Sequence, residues 1–337
     1  MTEPYRAAGY VAGQYPPVPY DPQLEAGLAG FLDMVERIPL RKDTILVNRD
    51  HFATIIPPVE VMIGDLPVTV EDRTVPGPEG APEIILTIVK PRDVDLVDAP
   101  GFYCIHGGGM VLGNRYFGIA GLVGDVLRYN AVGVSVEYRL APEHPAPAAV
   151  EDCYAGLVWM SEHAAELGLD PTKIIVTGAS AGGGLSAGVS LLARDRGGPH
   201  IAGQMLMCPM LDDRNTSVST RQYDLRGAWD RNNNDCAWDA ILGESRGTDQ
   251  VGPYQVPARM TDLSNLPPAF IDVGAAEIFR DEATEYALRI WATGGQAELH
   301  VWAGGYHGFA GFSPDAEVSR SAEATRLSWL RRILPDT

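Results

Sequence analysis

The residues best suited to chemistry in this chain sit on three glycine-marked turns, far apart in sequence. Ser180 lies in Gly178-Ala179-Ser180-Ala181-Gly182, after the apolar run Lys173 to Thr177 and before a small-residue helical stretch from Gly183 to Ala193. Strand, G-x-S-x-G and helix in that order make the setting of a nucleophile elbow, in which a strained turn projects the serine hydroxyl from the top of a sheet. A serine hydroxyl is a poor nucleophile near neutral pH. It needs a general base, a group orienting that base, and donors for the oxyanion that forms. His307, in Gly304-Gly305-Tyr306-His307-Gly308, stands just past a strand-like segment and can reach such an elbow as base. An acid comes from the loop Gly274 to Glu282, which holds Glu277 and Asp281, or from Asp272 in the strand before it. Upstream, His106-Gly107-Gly108-Gly109-Met110 follows a buried strand pattern, and consecutive glycines leave backbone N–H groups open to a substrate carbonyl.

These turns need elements to hold them. Strand patterns fall at 68–74, 83–89, 101–105, 131–136, 173–177, 202–207, 269–273 and 297–302, and helical patterns at 116–128, 147–166, 183–195, 281–293 and 315–333. Strands alternating with helices predict an α/β protein with a mostly parallel sheet covered on both faces, and the first strands, joined without helices, suit an antiparallel edge. Between Met210 and Pro267 the alternation stops. Near the start, Leu24, Leu28, Phe31, Leu32 and Val35 form one apolar helical stripe, preceded by a Pro-rich stretch with tyrosines at 5, 10, 15 and 20 that is expected to drape over the surface or move freely.

The motifs together resemble the hormone-sensitive-lipase-like branch of the α/β-hydrolases, mostly bacterial carboxylesterases. The resemblance runs from about Pro82 to the C-terminus and rests on HGGGM at 106–110, YRLAPEHPAPAAVED at 138–152, GASAGG at 178–183, the acid loop at 274–282 and YHGF at 306–309. It implies an α/β-hydrolase fold with a mostly parallel eight-stranded sheet and a discontinuous helical cap. The cap would comprise 1–57 and 211–250, and the core 58–210 and 251–337. Ser180 becomes the nucleophile, His307 the base and Glu277 the acid, with the N–H groups of Gly108, Gly109 and Ala181 as oxyanion hole. Two departures stand out. The family usually has Asp where Glu277 lies, so the acid is one methylene longer. Ala179 replaces the Asp or Thr of two large subfamilies.

The implied activity is serine carboxylesterase on short-chain esters, acetyl to hexanoyl, with activity falling as pH drops through about 6–7 because the base must be neutral. A lactonase, amidase or transacylase would use the same triad. A non-catalytic ligand-binding protein on this fold would lack the histidine. His106 and His144 read as structural, Asp152 as a helix-start acid in a cap or ion pair, and Ser186 and Ser190 as plain helix residues. Tyr116, Trp229, Trp238 and Phe309 are aromatics that line a pocket or, by default, fill the core.

Composition bounds the rest. With 26 Lys and Arg against 44 Asp and Glu, the net charge of −18 argues against nucleic acid and anionic membrane faces. The opening Met1-Thr2-Glu3-Pro4-Tyr5-Arg6 has no secretory-signal pattern. Cys104, Cys153, Cys208 and Cys236 form no C-x-x-C pair, and Cys104 and Cys208 sit in strand-like runs as buried free thiols. A cytoplasmic location is expected. No metal and no cofactor are expected, and partners reduce to a small-molecule ester and, at most, a second copy in a homodimer.

Overall fold

The computed structural model describes residues 15–35 and 38–334. Runs of apolar and β-branched residues form β1 (Val68–Val75), β2 (Ile84–Pro91), β3 (Ala99–Ile105), β4 (Val132–Glu137), β5 (Leu169–Ala179), β6 (Gly203–Met207), β7 (Ala269–Gly274) and β8 (Ala297–Trp302). They join into one eight-stranded sheet of order β1-β2-β4-β3-β5-β6-β7-β8. The β1–β2 and β2–β4 pairs are antiparallel, and all other neighbours are parallel. This is the expected α/β-hydrolase fold. Every residue of β7 is buried, as a strand covered on both faces requires, whereas β1 at the edge mixes buried and exposed positions.

In chain order the helices are α1 (Pro22–Met34), α2 (Ile45–Ile55), α3 (Val59–Ile63), α4 (Ile119–Tyr129), α5 (Ala148–Glu162), α6 (Ala164–Leu167), α7 (Ala181–Arg196), α8 (Val218–Gln222), α9 (Arg231–Leu242), α10 (Arg280–Ala292), α11 (Phe309–Phe312) and α12 (Glu317–Ile333). Alternate strand residues face opposite layers. Phe102, Ile175 and Phe270 pack with Ile119 and Leu122 of α4 and Trp329 of α12. Their neighbours Tyr103, Val176 and Ile271 belong to the larger cluster with Leu157 of α5, Leu185 of α7 and Tyr286 of α10.

The stripe on α1 does bury itself. Leu24 and Leu28 pack with Tyr306 and Phe309, and Phe31 stacks on Phe312 at 4.1 Å, so this helix seats on the chain around His307. Of the Pro-rich stretch, Tyr5 and Tyr10 lie outside the described residues. Its described part, residues 15–20, runs beside α8: the carbonyl of Pro16 accepts from Gln222 at 2.7 Å and that of Val18 from the Tyr223 hydroxyl at 2.9 Å. Five helices go beyond the sequence patterns: α2, α3, α8, α9 and α11. The buried face of α2 is only Ile45, Asn48 and Phe52, one of them polar, which left its apolar period too sparse to stand out. The connection from β6 to β7 carries α8 and α9 and no strand. Among the described residues no helix is long and apolar enough to cross a membrane.

Candidate active site

The parallel strands from β3 to β8 all end at one edge of the sheet, and the chemistry-bearing turns start there. Ser180 follows β5 and caps α7 at φ 60°, ψ −123°, a conformation strained for any residue with a Cβ. Its surroundings hold it so. Its N–H donates to Met207 O at 2.9 Å, and its carbonyl accepts from Met210 at 2.9 Å and Gly184 at 3.0 Å. The second elbow glycine is a packing requirement, because a Cβ on Gly182 would sit 1.9 Å from the carbonyl oxygen of Ile105 in β3.

His307 follows β8, and its ring lies between the serine and one acid. Nε2 is 3.0 Å from Ser180 Oγ, and Nδ1 is 2.8 Å from Glu277 Oε2. In the productive tautomer Nδ1–H donates to the carboxylate and the serine hydroxyl donates to Nε2. All three residues are largely buried, Glu277 at 2% exposed and Ser180 and His307 at 9%. The acid loop is tied to the histidine loop: Ala275 N–H donates to Trp302 O at 2.7 Å and Ala276 N–H to Gly305 O at 2.9 Å. The rival acids point elsewhere. Asp272 pairs with Arg326 and Trp302, and Asp281 accepts from Arg280 and from the backbone of Ser219. Burial disfavours the His307 imidazolium, but the Cys208 sulfur and the Glu277 carboxylate outweigh it and hold its pKa well above the ordinary value. An acid limb set by His307 would lie above the pH 6–7 expected of an unperturbed histidine.

The glycine loop after β3 turns its backbone into the same space. Gly108 and Gly109 have φ of 115° and 63°, and the ring of Trp229 leaves no room for a Cβ on Gly109, which would sit 2.6 Å from it. The N–H groups of Gly108, Gly109 and Ala181 donate to no acceptor among the described residues. Ala181 opens α7, so its N–H has no intrahelical partner and carries the positive end of that helix. His106 braces the loop: Nδ1–H donates to Gly107 O at 2.8 Å, its ring stacks on Tyr138 at 4.1 Å, and the Tyr138 hydroxyl donates to its carbonyl at 2.9 Å. Burial pushes the His106 pKa down to about 4, so it stays neutral at physiological pH. The 138–152 motif supports this brace. Arg139 forks onto the fully buried Asp152 at 2.8 and 2.7 Å, the ion pair anticipated for that acid.

Among the four candidate aromatics, Trp229 alone abuts the glycine loop. Tyr116 bonds Asp72 at 2.6 Å beside Arg115, Trp238 is fully buried in the main core, and Phe309 packs under α1. Ser186 and Ser190 bond back to carbonyls four residues earlier, and His144 donates its backbone N–H within its own turn. Sequence reasoning missed Arg49 of α2. Its guanidinium donates to Val111 O at 2.8 Å, to Ala141 O at 2.7 Å and to Glu143, binding the glycine loop to the 138–152 loop. It also missed Asp21, whose N–H donates to Gly304 O at 3.1 Å beside the histidine turn. Neither lies in a recognisable motif, and only a folded chain brings them to these loops.

Residues 102–311 match the model of a family described by its α/β-hydrolase fold. The carboxylesterase NlhH of Mycobacterium tuberculosis is 37% identical over 274 residues, which cover 79% of this chain and 83% of that protein. Among solved structures, a bacterial heroin esterase superposes with a TM-score of 0.84 at 37% identity, covering 94% of this chain and 98% of the other. The esterase LipW from Mycobacterium marinum gives 0.83 at 30% identity, covering 95% and 98%. The chain belongs to the α/β-hydrolase family, in its hormone-sensitive-lipase-like branch.

Proposed function

We propose that this α/β-hydrolase cleaves carboxylic esters through an acyl-enzyme on Ser180. The observation that carries the reading is the unbroken relay from Ser180 Oγ through His307 to Glu277, at 3.0 and 2.8 Å, beside three backbone donors without acceptors. His307 Nε2 takes the hydroxyl proton as Oγ attacks the ester carbonyl. Glu277 keeps the ring oriented and balances the imidazolium charge, as the orienting acid of a triad does. The developing oxyanion is received by Gly108, Gly109 and Ala181, and each such donor is worth about 2.7–4 kcal/mol in the transition state. His307 then protonates the leaving alcohol, and water repeats the sequence on the acyl-enzyme.

Residues 1–57 and 211–250 form the two parts of a cap on this reading, over a core of 58–210 and 251–337. The substrate is a short-chain ester, because Trp229 presses on the oxyanion loop from the second cap part and the nucleophile is nine-tenths buried. The test combines labelling with a chain-length series. A fluorophosphonate should modify Ser180 and not the Ser180→Ala variant, and aryl acetate to hexanoate should turn over faster than emulsified long-chain esters. Modification at another serine, or full activity in Ser180→Ala, would overturn the assignment. Faster hydrolysis of a lactone or amide than of any ester would move the activity to that leaving group.

A further inference from the structure

Four neighbouring strands each deliver one reactive group to the same edge of the sheet, and ester hydrolysis employs only three of them. Ser180 follows β5, Glu277 follows β7 and His307 follows β8, while Cys208 comes directly after β6, between them. The Cys208 thiol is free and buried. Its backbone is held at φ 38°, with its N–H donating to Asp272 O at 2.6 Å, so the sulfur rides on a fixed turn. One ligand-type atom each from Cys208, Glu277 and His307 lie within 4.8 Å of one another. A second observation points the same way: Glu277 is 2% exposed, yet among the described residues its Oε1 has no hydrogen-bond partner. A buried carboxylate oxygen left without a donor is an open acceptor for a cation.

Sulfur, imidazole nitrogen and carboxylate oxygen suit zinc and its softer congener cadmium, whereas magnesium and calcium prefer oxygen alone. Metal–ligand distances of about 2.0–2.3 Å place tetrahedral donors about 3.5 Å apart, so side-chain movements on the order of 1 Å close the three groups onto an ion. We propose that Cys208, Glu277 and His307 form an inhibitory site for a borderline-to-soft divalent cation, zinc or cadmium, with water in the fourth position. On binding, the Cys208 thiol releases its proton to solvent and its sulfur bonds the metal. Glu277 contributes a carboxylate oxygen. His307 binds through Nδ1, the nitrogen facing Glu277, and the proton that Nδ1 carried moves to Nε2. Starting from the neutral imidazole, one proton leaves per ion bound. An imidazole protonated at Nε2 donates to Ser180 Oγ and cannot take its proton, so the nucleophile is switched off. The other cysteines compete poorly, since burial pushes the thiols of Cys104 and Cys236 up to about 12 and that of Cys153 higher still.

Two measurements decide the matter, on the full-length protein in thiol-free buffer. The first is the ultraviolet cadmium–thiolate charge-transfer band, which does not depend on the ester-hydrolase reading. Titration with Cd2+ should reach one ion per chain. The band should vanish in Cys208→Ser, persist in Cys236→Ser and form at least tenfold more weakly in His307→Ala. Cys208→Ala serves if the serine variant does not fold. The second, which rests on that reading, is Zn2+ inhibition of aryl acetate hydrolysis. It should be reversible by EDTA and absent with Mg2+, and the half-inhibitory concentration should rise at least tenfold in Cys208→Ser, each variant scaled to its own uninhibited rate. No band in the wild type, an unchanged band in Cys208→Ser, or loss of the band in Cys236→Ser would overturn the site. Equal half-inhibitory concentrations would overturn the inhibitory coupling. A wild type that hydrolyses no ester at any Zn2+ level would refute the hydrolase reading and leave the absorbance result to judge the site alone.

Discussion

Exchanging Glu277 for Gln removes the charge and keeps the size, which isolates what the carboxylate contributes. In the wild type its Oε2 accepts a hydrogen bond from His307 Nδ1–H at 2.8 Å, leaving Nε2 free to accept from Ser180. The glutamine has two ways to sit. With its oxygen toward Nδ1, the NH2 occupies the Oε1 position, which is buried and has no partner, and an unmet buried donor costs about 1–3 kcal/mol. With its NH2 toward Nδ1, the amide forces the imidazole proton onto Nε2 and the base is lost. Replacing the acid of such a triad by its amide lowers kcat about 10⁴-fold, roughly 5.4 kcal/mol at 1.36 kcal/mol per decade. We expect a fall of about 10³–10⁴ in kcat with little change in KM, because the acid does not touch substrate. The acid limb of kcat/KM should also move down, since the carboxylate is one of the groups holding the His307 pKa up. Glu277→Asp gives a geometric control. Losing one methylene retracts the carboxylate by about 1.5 Å and opens the 2.8 Å contact to about 4.3 Å, outside hydrogen-bonding range. The loop cannot simply follow, because Ala275 and Ala276 are bonded to the histidine loop. Stopped-flow or plate-based hydrolysis of an aryl acetate, from about pH 5 to 9, reads both quantities. A Gln variant within tenfold of the wild type, or an acid limb that stays in place, would refute the idea that Glu277 orients and charges His307.

Other consequences follow from the same geometry. If His307 is the base, as proposed, it acts only when neutral and its pKa is raised, so wild-type kcat/KM should climb with pH through a limb above the ordinary 6.5, and a limb at or below that value would contradict the assigned surroundings. Gly109→Ala puts a Cβ at φ 63° and 2.6 Å from Trp229, which displaces an oxyanion donor; kcat should fall by about 10²–10³ in ester turnover while circular dichroism is unchanged. Arg139→Met strands the fully buried Asp152, and with Arg139 itself partly exposed the cost should be about 2–3 kcal/mol in urea unfolding. A loss below about 0.5 kcal/mol would mean the pair is not structural.

What the sequence disclosed depended on how local the physics was. Each strand of the sheet carries its own apolar signature, and all eight were readable within a few residues. β5 proved longer than the 173–177 core that its β-branched run marks, because Leu169 pairs with Ala99 across an irregularity in the ladder, ahead of Asp170 to Thr172, which carry no apolar pattern. The elbow was readable because a single pentapeptide contains both the strained serine and the glycines that relieve its contacts. The acid was not readable in this way. Asp272, Glu277 and Asp281 lie within ten residues, and the choice among them came from resemblance to a family, since a carboxylate has no signature that tells which way it points. α2 was invisible for another reason: its buried face is thin, and its most consequential residue, Arg49, faces the loops it binds and not the core.

The supporting contacts explain why a site assembled from distant loops can be rigid enough to work. Ser180 is positioned by its own elbow, with local bonds to Met207, Gly184 and Met210. His307 has no such self-sufficiency, because it follows an edge strand, β8, whose outer side has no strand neighbour among the described residues. Its turn is instead held from two directions: the acid loop bonds Trp302 and Gly305, and the segment before α1 bonds Gly304 while Tyr20 stacks edge-on against Tyr306 at 6.2 Å. An edge strand is the least constrained place in a sheet to mount a base that must stay within hydrogen-bond reach of its nucleophile. On the proposed mechanism the described N-terminal segment therefore supports the base as much as it does any cap. Its sequence shows no motif because the task needs only backbone donors and apolar surface, which many sequences can supply.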